Sequence, residues 1–209
     1  MPLYKSIFID NQTIVKIWKI EESYSDLFQS VHLRPESLGR VLGMKSELHQ
    51  RGFLSVRKLL AEFGYSDVDL FYDSNGKPHL KDGKHISITH SFNFSAIIVS
   101  IGNMVGIDIE KQREKISIIA DKFVDYEFDY LNNHDSDYVN KLTVIWCAKE
   151  SLYKLYATPG LSFKQHCLVM PFSLSDNQTI AWIDYQEKKI RFSIQFLAFE
   201  GFTCAYAVL

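Results

Sequence analysis

Two acidic residues stand two positions apart in the apolar segment Val105–Glu110, whose sequence is VGIDIE. The alternation predicts a β-strand, on which successive side chains point to opposite faces. Asp108 and Glu110 are therefore expected to share one face, about 7 Å apart. Two carboxylates at that spacing repel each other unless a cation lies between them, and Mg²⁺ favours one or two carboxylates together with phosphate oxygens. Alone, such a segment is more often an ordinary half-exposed edge strand, so the interpretation needs a partner.

The segment Trp146–Lys154, WCAKESLYK, supplies that partner on a predicted helix. At helical spacing, Glu150 and Lys154 form an i,i+4 pair with Trp146 and Tyr153 on adjoining faces. One reading is a surface ion pair worth a few tenths of a kcal/mol. In the other reading, Glu150 completes a metal site or takes a proton, and Lys154 lies beside a phosphate, where a point charge serves well.

Further polar side chains could bind a phosphate group. Lys77 and Pro78 end a dense turn signal, and Thr89 and His90 end a predicted strand, while Arg57 lies on a predicted long helix. Ammonium, guanidinium, hydroxyl and imidazole groups all donate hydrogen bonds to phosphate oxygens. The alternatives are a solvated turn lysine, a histidine satisfied inside the fold and a solvated arginine on a helix face.

The elements that must position these residues follow from hydrophobic periodicity and from turn residues. The first half of the chain predicts a β-hairpin, a short helix, a long helix and two strands: Tyr4–Phe8 with Ile14–Ile20, Glu22–Val31, Leu38–Phe63 capped by Gly64, Ile86–Thr89 and Ser95–Ile101. The second half predicts a strand, two helices and several later strands: Val105–Ile109, Ile116–Leu131, Leu142–Tyr156 and the region Leu168–Val208.

This order predicts two α+β lobes, one over residues 1–102 and the other over residues 103–209. The 209 residues are enough for a sizeable core in either arrangement. The net charge of −2 argues against a nucleic-acid surface, and no apolar run is long enough to span a membrane. Three scattered cysteines, and a first segment that alternates and carries early charges in place of the apolar core of a signal peptide, indicate a cytoplasmic protein with reduced thiols.

Taken together, these segments resemble the 4′-phosphopantetheinyl transferase superfamily. Its pattern is a hydrophobic-Gly-hydrophobic-Asp-x-Glu strand and, further along the chain, Trp/Phe-x-x-Lys-Glu-Ser/Ala-x-x-Lys. Val105–Glu110 and Trp146–Lys154 match both halves at the expected separation. Gly76–Pro78 and Thr89–Ser91 match two upstream elements, with threonine at 89 where serine is more frequent. The chain length is similar to that of the two-lobed, surfactin-synthetase-activator type.

The resemblance implies an α+β pseudo-dimer of that superfamily's fold, with two lobes of similar size and an active-site cleft between them. It implies transfer of 4′-phosphopantetheine from coenzyme A to a serine of an apo acyl or peptidyl carrier protein by a monomer, with release of adenosine 3′,5′-bisphosphate. Mg²⁺ would be held by Asp108, Glu110 and Glu150. The catalytic residues would be Glu150 and Lys154, and the coenzyme A-binding residues would be Lys77, Pro78, Thr89, His90 and, less clearly, Arg57. The carrier protein would dock near Ile116–Leu131.

Two other functions stay open at this stage. The chain could bind coenzyme A or a nucleotide without catalysis, or it could serve as a carrier-protein interaction module. The presence of three carboxylates together with Lys154 favours the enzyme, because neither alternative needs a complete metal site.

Overall fold

A computed structural model describes residues 3–209, which divide into two compact units. The first unit ends at Asn103 and the second begins at Met104. Both contain helices and antiparallel strands, so the α+β class predicted from the sequence is confirmed. No helix within residues 3–209 combines the length and the hydrophobicity needed to cross a bilayer.

The first unit consists of a four-stranded antiparallel sheet, a two-stranded sheet and helices. Its strands are β1 Leu3–Phe8, β2 Thr13–Lys19, β3 Leu70–Tyr72, β4 Pro78–Leu80, β5 His85–Ser91 and β6 Phe94–Ser100. Its helices are α1 Tyr24–Gln29, α2 Pro35–Leu42 and α3 Glu47–Glu62. The large sheet has the order β1-β2-β6-β5, and β3 pairs with β4.

The predicted hairpin at the start of the chain is confirmed, with β1 and β2 paired antiparallel. The long helix predicted over Leu38–Phe63 is wrong in its first part, because α2 ends at Leu42 and α3 begins only at Glu47. The Gln50 side chain donates to the backbone oxygens of Val41 and Met44, at 3.1 and 3.2 Å. These contacts tie the connection between α2 and α3 to the first turn of α3.

The second unit is a five-stranded antiparallel sheet with one long helix. Its strands are β7 Val105–Lys111, β8 Cys167–Val169, β9 Gln178–Tyr185, β10 Lys188–Phe199 and β11 Phe202–Val208, in the sheet order β7-β11-β10-β9-β8. Its helices are α4 Lys115–Ile118, α5 Tyr138–Tyr156 and α6 Phe163–His166. Buried side chains of α5, such as Ile145 and Leu152, pack against apolar residues of β9, β10 and β11.

The helix predicted over Ile116–Leu131 is wrong beyond its first turn. After α4, the chain forms two short 3₁₀ turns, Ala120–Lys122 and Tyr126–Asp129. The backbone oxygen of Phe123 accepts a hydrogen bond from the side chain of Lys149 at 2.8 Å. A tertiary contact to α5 thereby takes a carbonyl group that a continuous helix would have used itself.

Candidate active site

The acidic pair lies on β7, as predicted from the sequence. β7 is an edge strand that pairs with β11, where Asp108 is opposite Ala205 and Glu110 is opposite Thr203. Being two positions apart on a strand, Asp108 and Glu110 lie on one face. Asp108 is only 5% exposed, whereas Glu110 is half-buried near the end of the strand.

Lys154 of α5 reaches the same strand. Its Nζ donates to Oδ1 of Asp108 at 2.7 Å and to the backbone oxygen of Ile107 at 3.0 Å. Burial by itself would lower the pKa of Lys154, but attraction and hydrogen bonding to Asp108 outweigh it and raise the pKa above its ordinary value. The Lys154 side chain stays 28% exposed, so this ammonium is charged and still reachable.

The long helix approaches β7 closely because residue 106 has no side chain. A Cβ atom on Gly106 would overlap the backbone oxygen of Ser151 and lie 3.1 Å from Cβ of Leu155. Ser151 Oγ also donates to the backbone oxygen of Ala205 at 2.9 Å, which ties the helix to β11. Gly106 and Ser151 therefore set the distance between the helix and the acidic strand.

Glu150 shares the electrostatic environment of the strand carboxylates. Burial and then repulsion from Asp108 raise the pKa of Glu150 to about 7, with a smaller contribution from Glu110. Lys154 acts in the opposite direction and lowers the same pKa. The helix acid thus faces the strand pair, and the group carries more negative than positive charge.

A cavity of about 200 Å³ adjoins the acidic strand within the second unit. Glu110 and Trp146 line it, and the remaining lining combines three cations with two isoleucines: Lys111, Arg113, Lys115, Ile116 and Ile119. The cavity therefore combines cationic and apolar side chains with one of the strand carboxylates.

The carboxylates are ligands of the kind that a hard cation prefers, although in their present positions they do not form a complete coordination site. Over residues 3–209, no three histidine, cysteine or acidic side chains are arranged to hold a metal ion as they stand. Mg²⁺ usually takes one or two protein carboxylates and completes its shell with water and substrate phosphates. Repulsion between Glu150 and Asp108 is what a dication placed among these acids would relieve.

Four of the candidate phosphate-binding residues of the first unit lie at or near an end of strand β4 or β5, and the fifth, Arg57, lies in helix α3. Lys77 ends a turn in which Gly76 has φ of +80°, and Pro78 begins β4. Burial lowers the pKa of Lys77, with a smaller opposing effect from Asp73. Lys77 is half-buried, and its backbone N–H donates to Asp73 Oδ1 at 3.0 Å.

Thr89 and His90 lie on β5, with Thr89 buried and His90 exposed. A Cβ atom on Gly52 would lie 2.9 Å from Nδ1 of His90, so the glycine inside α3 makes room for the imidazole ring. The His49 ring is 6.4 Å away, centroid to centroid. The structure thus places an exposed imidazole against the face of α3.

Arg57 proves to be a structural residue. Its Nε donates to Oδ1 of Asp67 at 2.9 Å, and both side chains are almost fully buried. The guanidinium carbon lies 3.5 Å from the centroid of the Phe53 ring. The prediction that Arg57 turns toward a phosphate is therefore replaced by an ion pair inside the first unit.

Sequence reasoning missed a buried ion pair between Lys149 and Glu127, whose side chains have no solvent exposure. It also did not predict that Gly106 and Ser151 set the distance between helix α5 and strand β7. A signal for Lys149 was present, because the residue lies between Ile145 and Leu152 at helical spacing and so on the buried face of α5.

Comparison of the chain with models of protein families gives one family. The search of curated proteins finds no match. The model of the 4′-phosphopantetheinyl transferase superfamily matches residues 104–207, which cover almost the whole second unit. The match includes both the acidic strand and the helix that bears Glu150 and Lys154. Residues 104–207 of the chain therefore form a domain of the 4′-phosphopantetheinyl transferase superfamily.

Proposed function

We propose that this protein transfers 4′-phosphopantetheine from coenzyme A to a serine of an apo carrier protein. The observation that carries the proposal is the meeting of Asp108, Glu150 and Lys154 where α5 contacts β7. That meeting occurs within the superfamily domain, and a phosphoryl-transfer site needs chiefly charged groups held in position. The products are the phosphopantetheinylated carrier and adenosine 3′,5′-bisphosphate.

Glu150 is the proposed general base. The serine oxygen forms a bond to the phosphorus that bears pantetheine, the bond from that phosphorus to the oxygen of the nucleotide phosphate breaks, and Glu150 takes the serine proton directly or through a water. The pKa of Glu150 is raised to about 7 in the metal-free protein, and a dication bound beside it would lower that pKa, which would leave Glu150 ionised and able to accept a proton at neutral pH. The chain's own part is to hold this group beside the acidic strand.

Lys154 is proposed to stabilise the negative charge of the transferring and leaving phosphates. It is already fixed by Asp108, so its charge is in place before substrate binds. Mg²⁺, held by Asp108, Glu110 and Glu150 together with the diphosphate, would neutralise charge in the ground state and in the transition state.

Coenzyme A is proposed to use the first unit for its nucleotide half. The candidates are the ammonium of Lys77, the turn before Pro78, the hydroxyl of Thr89 and the imidazole of His90. The support is their match to the superfamily's upstream motifs and the exposure of the His90 side chain.

The carrier protein is proposed to dock beside the cavity that Glu110 and Trp146 line. The three cationic side chains that line that cavity suit the acidic helix of a carrier, and its two isoleucines suit an apolar side chain close to the serine. A larger polar hollow of about 1040 Å³ shares Arg113 with this cavity and extends the surface toward Tyr138. Ile118 is 81% exposed at the same edge.

We further propose a monomeric enzyme in the cytoplasm, where its three free cysteines stay reduced.

The test is the intact mass of purified apo carrier proteins after incubation with the protein, coenzyme A and Mg²⁺. Fatty-acid, polyketide and peptide carriers are assayed in parallel, each with its target serine changed to alanine as a control. The expected result is a gain of one phosphopantetheine mass on at least one carrier, abolished by the serine change. The absence of any gain across all three classes would instead favour a module that binds coenzyme A or carriers without catalysis.

A further inference from the structure

A buried ion pair lies directly behind the proposed catalytic helix face. Lys149 Nζ lies 2.7 Å from Oε1 of Glu127, and neither side chain has any solvent exposure. Lys149 precedes the proposed base Glu150 in sequence, but it points into the core of the second unit. Burying two charges is costly, so such a pair is a weak source of stability and invites a search for another role.

The pair connects four separate stretches of chain. The ammonium of Lys149 also donates to the backbone oxygens of Phe123 and Phe163, at 2.8 and 3.1 Å. The carboxylate of Glu127 accepts a hydrogen bond from the backbone N–H of Val169 at 2.9 Å. This buried ion pair therefore links helix α5 to three other parts of the chain: the segment after α4, the start of α6 and strand β8.

The two residues whose carbonyl groups bind Lys149 also carry the rings that hold Trp146. The Phe123 ring packs edge-on against Trp146 with centroids 5.0 Å apart, and the Phe163 ring lies 5.7 Å from it. Trp146 is one helical turn before Glu150, and it lines the cavity beside Glu110. The position of this cavity wall thus depends on backbone segments that Lys149 holds.

We propose that Lys149 and Glu127 form a positioning pair, which fixes Trp146 and with it the cavity wall beside the carboxylates. The effect of this pair on the rate of carrier modification rests on the proposed function, whereas its effect on the position of Trp146 does not. Neither residue is proposed to contact substrate. The pair acts by tying the segment proposed to receive the carrier to the helix that bears Glu150.

A double variant, Lys149→Met/Glu127→Leu, separates the effect of the pair on the position of Trp146 from its effect on the stability of the protein. It removes both charges at once, so no unpaired buried charge is left to unfold the protein. The carbonyl groups of Phe123 and Phe163 lose their shared donor in this variant. We expect cooperative unfolding to be retained, while kcat/KM for the carrier falls roughly 10- to 100-fold, the effect typical of losing a supporting contact.

A spectroscopic readout makes the test independent of activity. The protein is labelled with 5-fluorotryptophan, and the ¹⁹F resonance of Trp146 is assigned by its loss in Trp146→Phe. In the double variant, the Trp146 resonance should shift or broaden, whereas that of Trp18, in the first unit, should stay unchanged. A wild-type that transfers nothing would refute the proposed function but would leave this readout intact.

Conservative single variants complete the design. Glu127→Gln keeps an oxygen acceptor for both Lys149 and the Val169 N–H but leaves the buried ammonium without its counter-charge, so it should lower the free energy of unfolding while the folded protein keeps the wild-type Trp146 resonance. Lys149→Arg keeps the charge but cannot direct its planar donors to all three acceptors, so it should disturb both readouts even if the double variant fails to fold. A wild-type Trp146 resonance and a wild-type kcat/KM in Lys149→Arg, or in a folded double variant, would overturn the proposal.

Discussion

Charge at the proposed site is unbalanced at the level of single residues. The carboxyl group of Glu150 experiences the charges of Asp108 and Glu110, and Lys154 supplies one cation, which binds Asp108. Burial first, and then repulsion from Asp108, raise the pKa of Glu150 to about 7. This imbalance is the physical reason for expecting a dication to bind there together with an anionic substrate.

Replacement of Glu150 by glutamine should stabilise the metal-free protein at high pH. The folded state raises the pKa of this carboxyl group, so the ionised form opposes folding, and wild-type stability should rise as pH falls from 8 through 7 toward 5. Glu150→Gln should remove that dependence and add about 1–3 kcal/mol to the free energy of unfolding at pH 8. Urea unfolding at pH 8 and pH 5 checks this, and equal stability of both proteins at pH 8 would contradict it.

Replacement of Lys154 by methionine should impair transfer far more than coenzyme A binding. The variant removes the positive charge beside Asp108 while keeping much of the side-chain volume, and we expect kcat to fall about 100-fold or more. Lys141→Met is the matched control, because this lysine lies on the same helix and pairs with Asp137 at 3.0 Å. Steady-state kinetics and calorimetric titration of coenzyme A measure the two effects, and equal losses in rate and affinity would make Lys154 a binding residue only.

The residue types of the site could be predicted from the sequence, but several of their partners could not. The strand carboxylates, Glu150 and Lys154 follow from local alternation and helical spacing. Arg57 was misread because its partner, Asp67, is brought to it by the fold of the first unit. The burial of Lys149 was not predicted, because lysine side chains are usually exposed to solvent and only the position of this residue on the apolar face of the helix indicated otherwise.

At the level of elements, the site is the contact between α5 and β7. Gly106 allows that contact, because any side chain there meets the backbone of the helix at Ser151. The backbone of Ser151 cannot rotate away from such a clash, as a side chain could. The helix would have to move, and it carries both Glu150 and Lys154.

Gly106→Ala should therefore lower both stability and transfer. We expect a loss of about 1–3 kcal/mol from overpacking and a much larger proportional loss of activity, because Lys154 is drawn away from Asp108. Gly39→Ala is the control, since that glycine lies in α2 with open space around it. It should leave activity unchanged and stabilise the protein by about 0.5–1 kcal/mol. Thermal unfolding and initial rates measure both variants, and a Gly106→Ala protein with normal rates would exclude this role.

Prediction of the elements succeeded where local pattern and tertiary contact agree. The first hairpin, strand β7 and helix α5 are examples, and Gly64 adopts φ of +81° at the end of α3, as expected of a helix cap. It failed over Ile116–Leu131, where the inward turn of Glu127 toward Lys149 interrupts the helix. Local periodicity carries no information about a partner in another part of the chain.

At the level of the whole molecule, the proposed function divides between the two units. The superfamily match covers residues 104–207, and the charged group lies within that unit. The roles proposed for Lys77, Thr89 and His90 rest on two short motifs. Coenzyme A affinity of His90→Ala and Lys77→Ala, compared with wild-type, measures what the first unit contributes.

The rate of carrier modification at increasing Mg²⁺ concentration, for wild-type and for Asp108→Asn, tests the central claim most directly. Asparagine keeps the size of the side chain and removes one carboxylate from the group. The account predicts a wild-type rate that rises from zero and saturates with Mg²⁺, and a folded variant with no measurable rate at any concentration. A wild-type rate that persists in excess chelator, or an Asp108→Asn variant with normal turnover at limiting Mg²⁺, would contradict it.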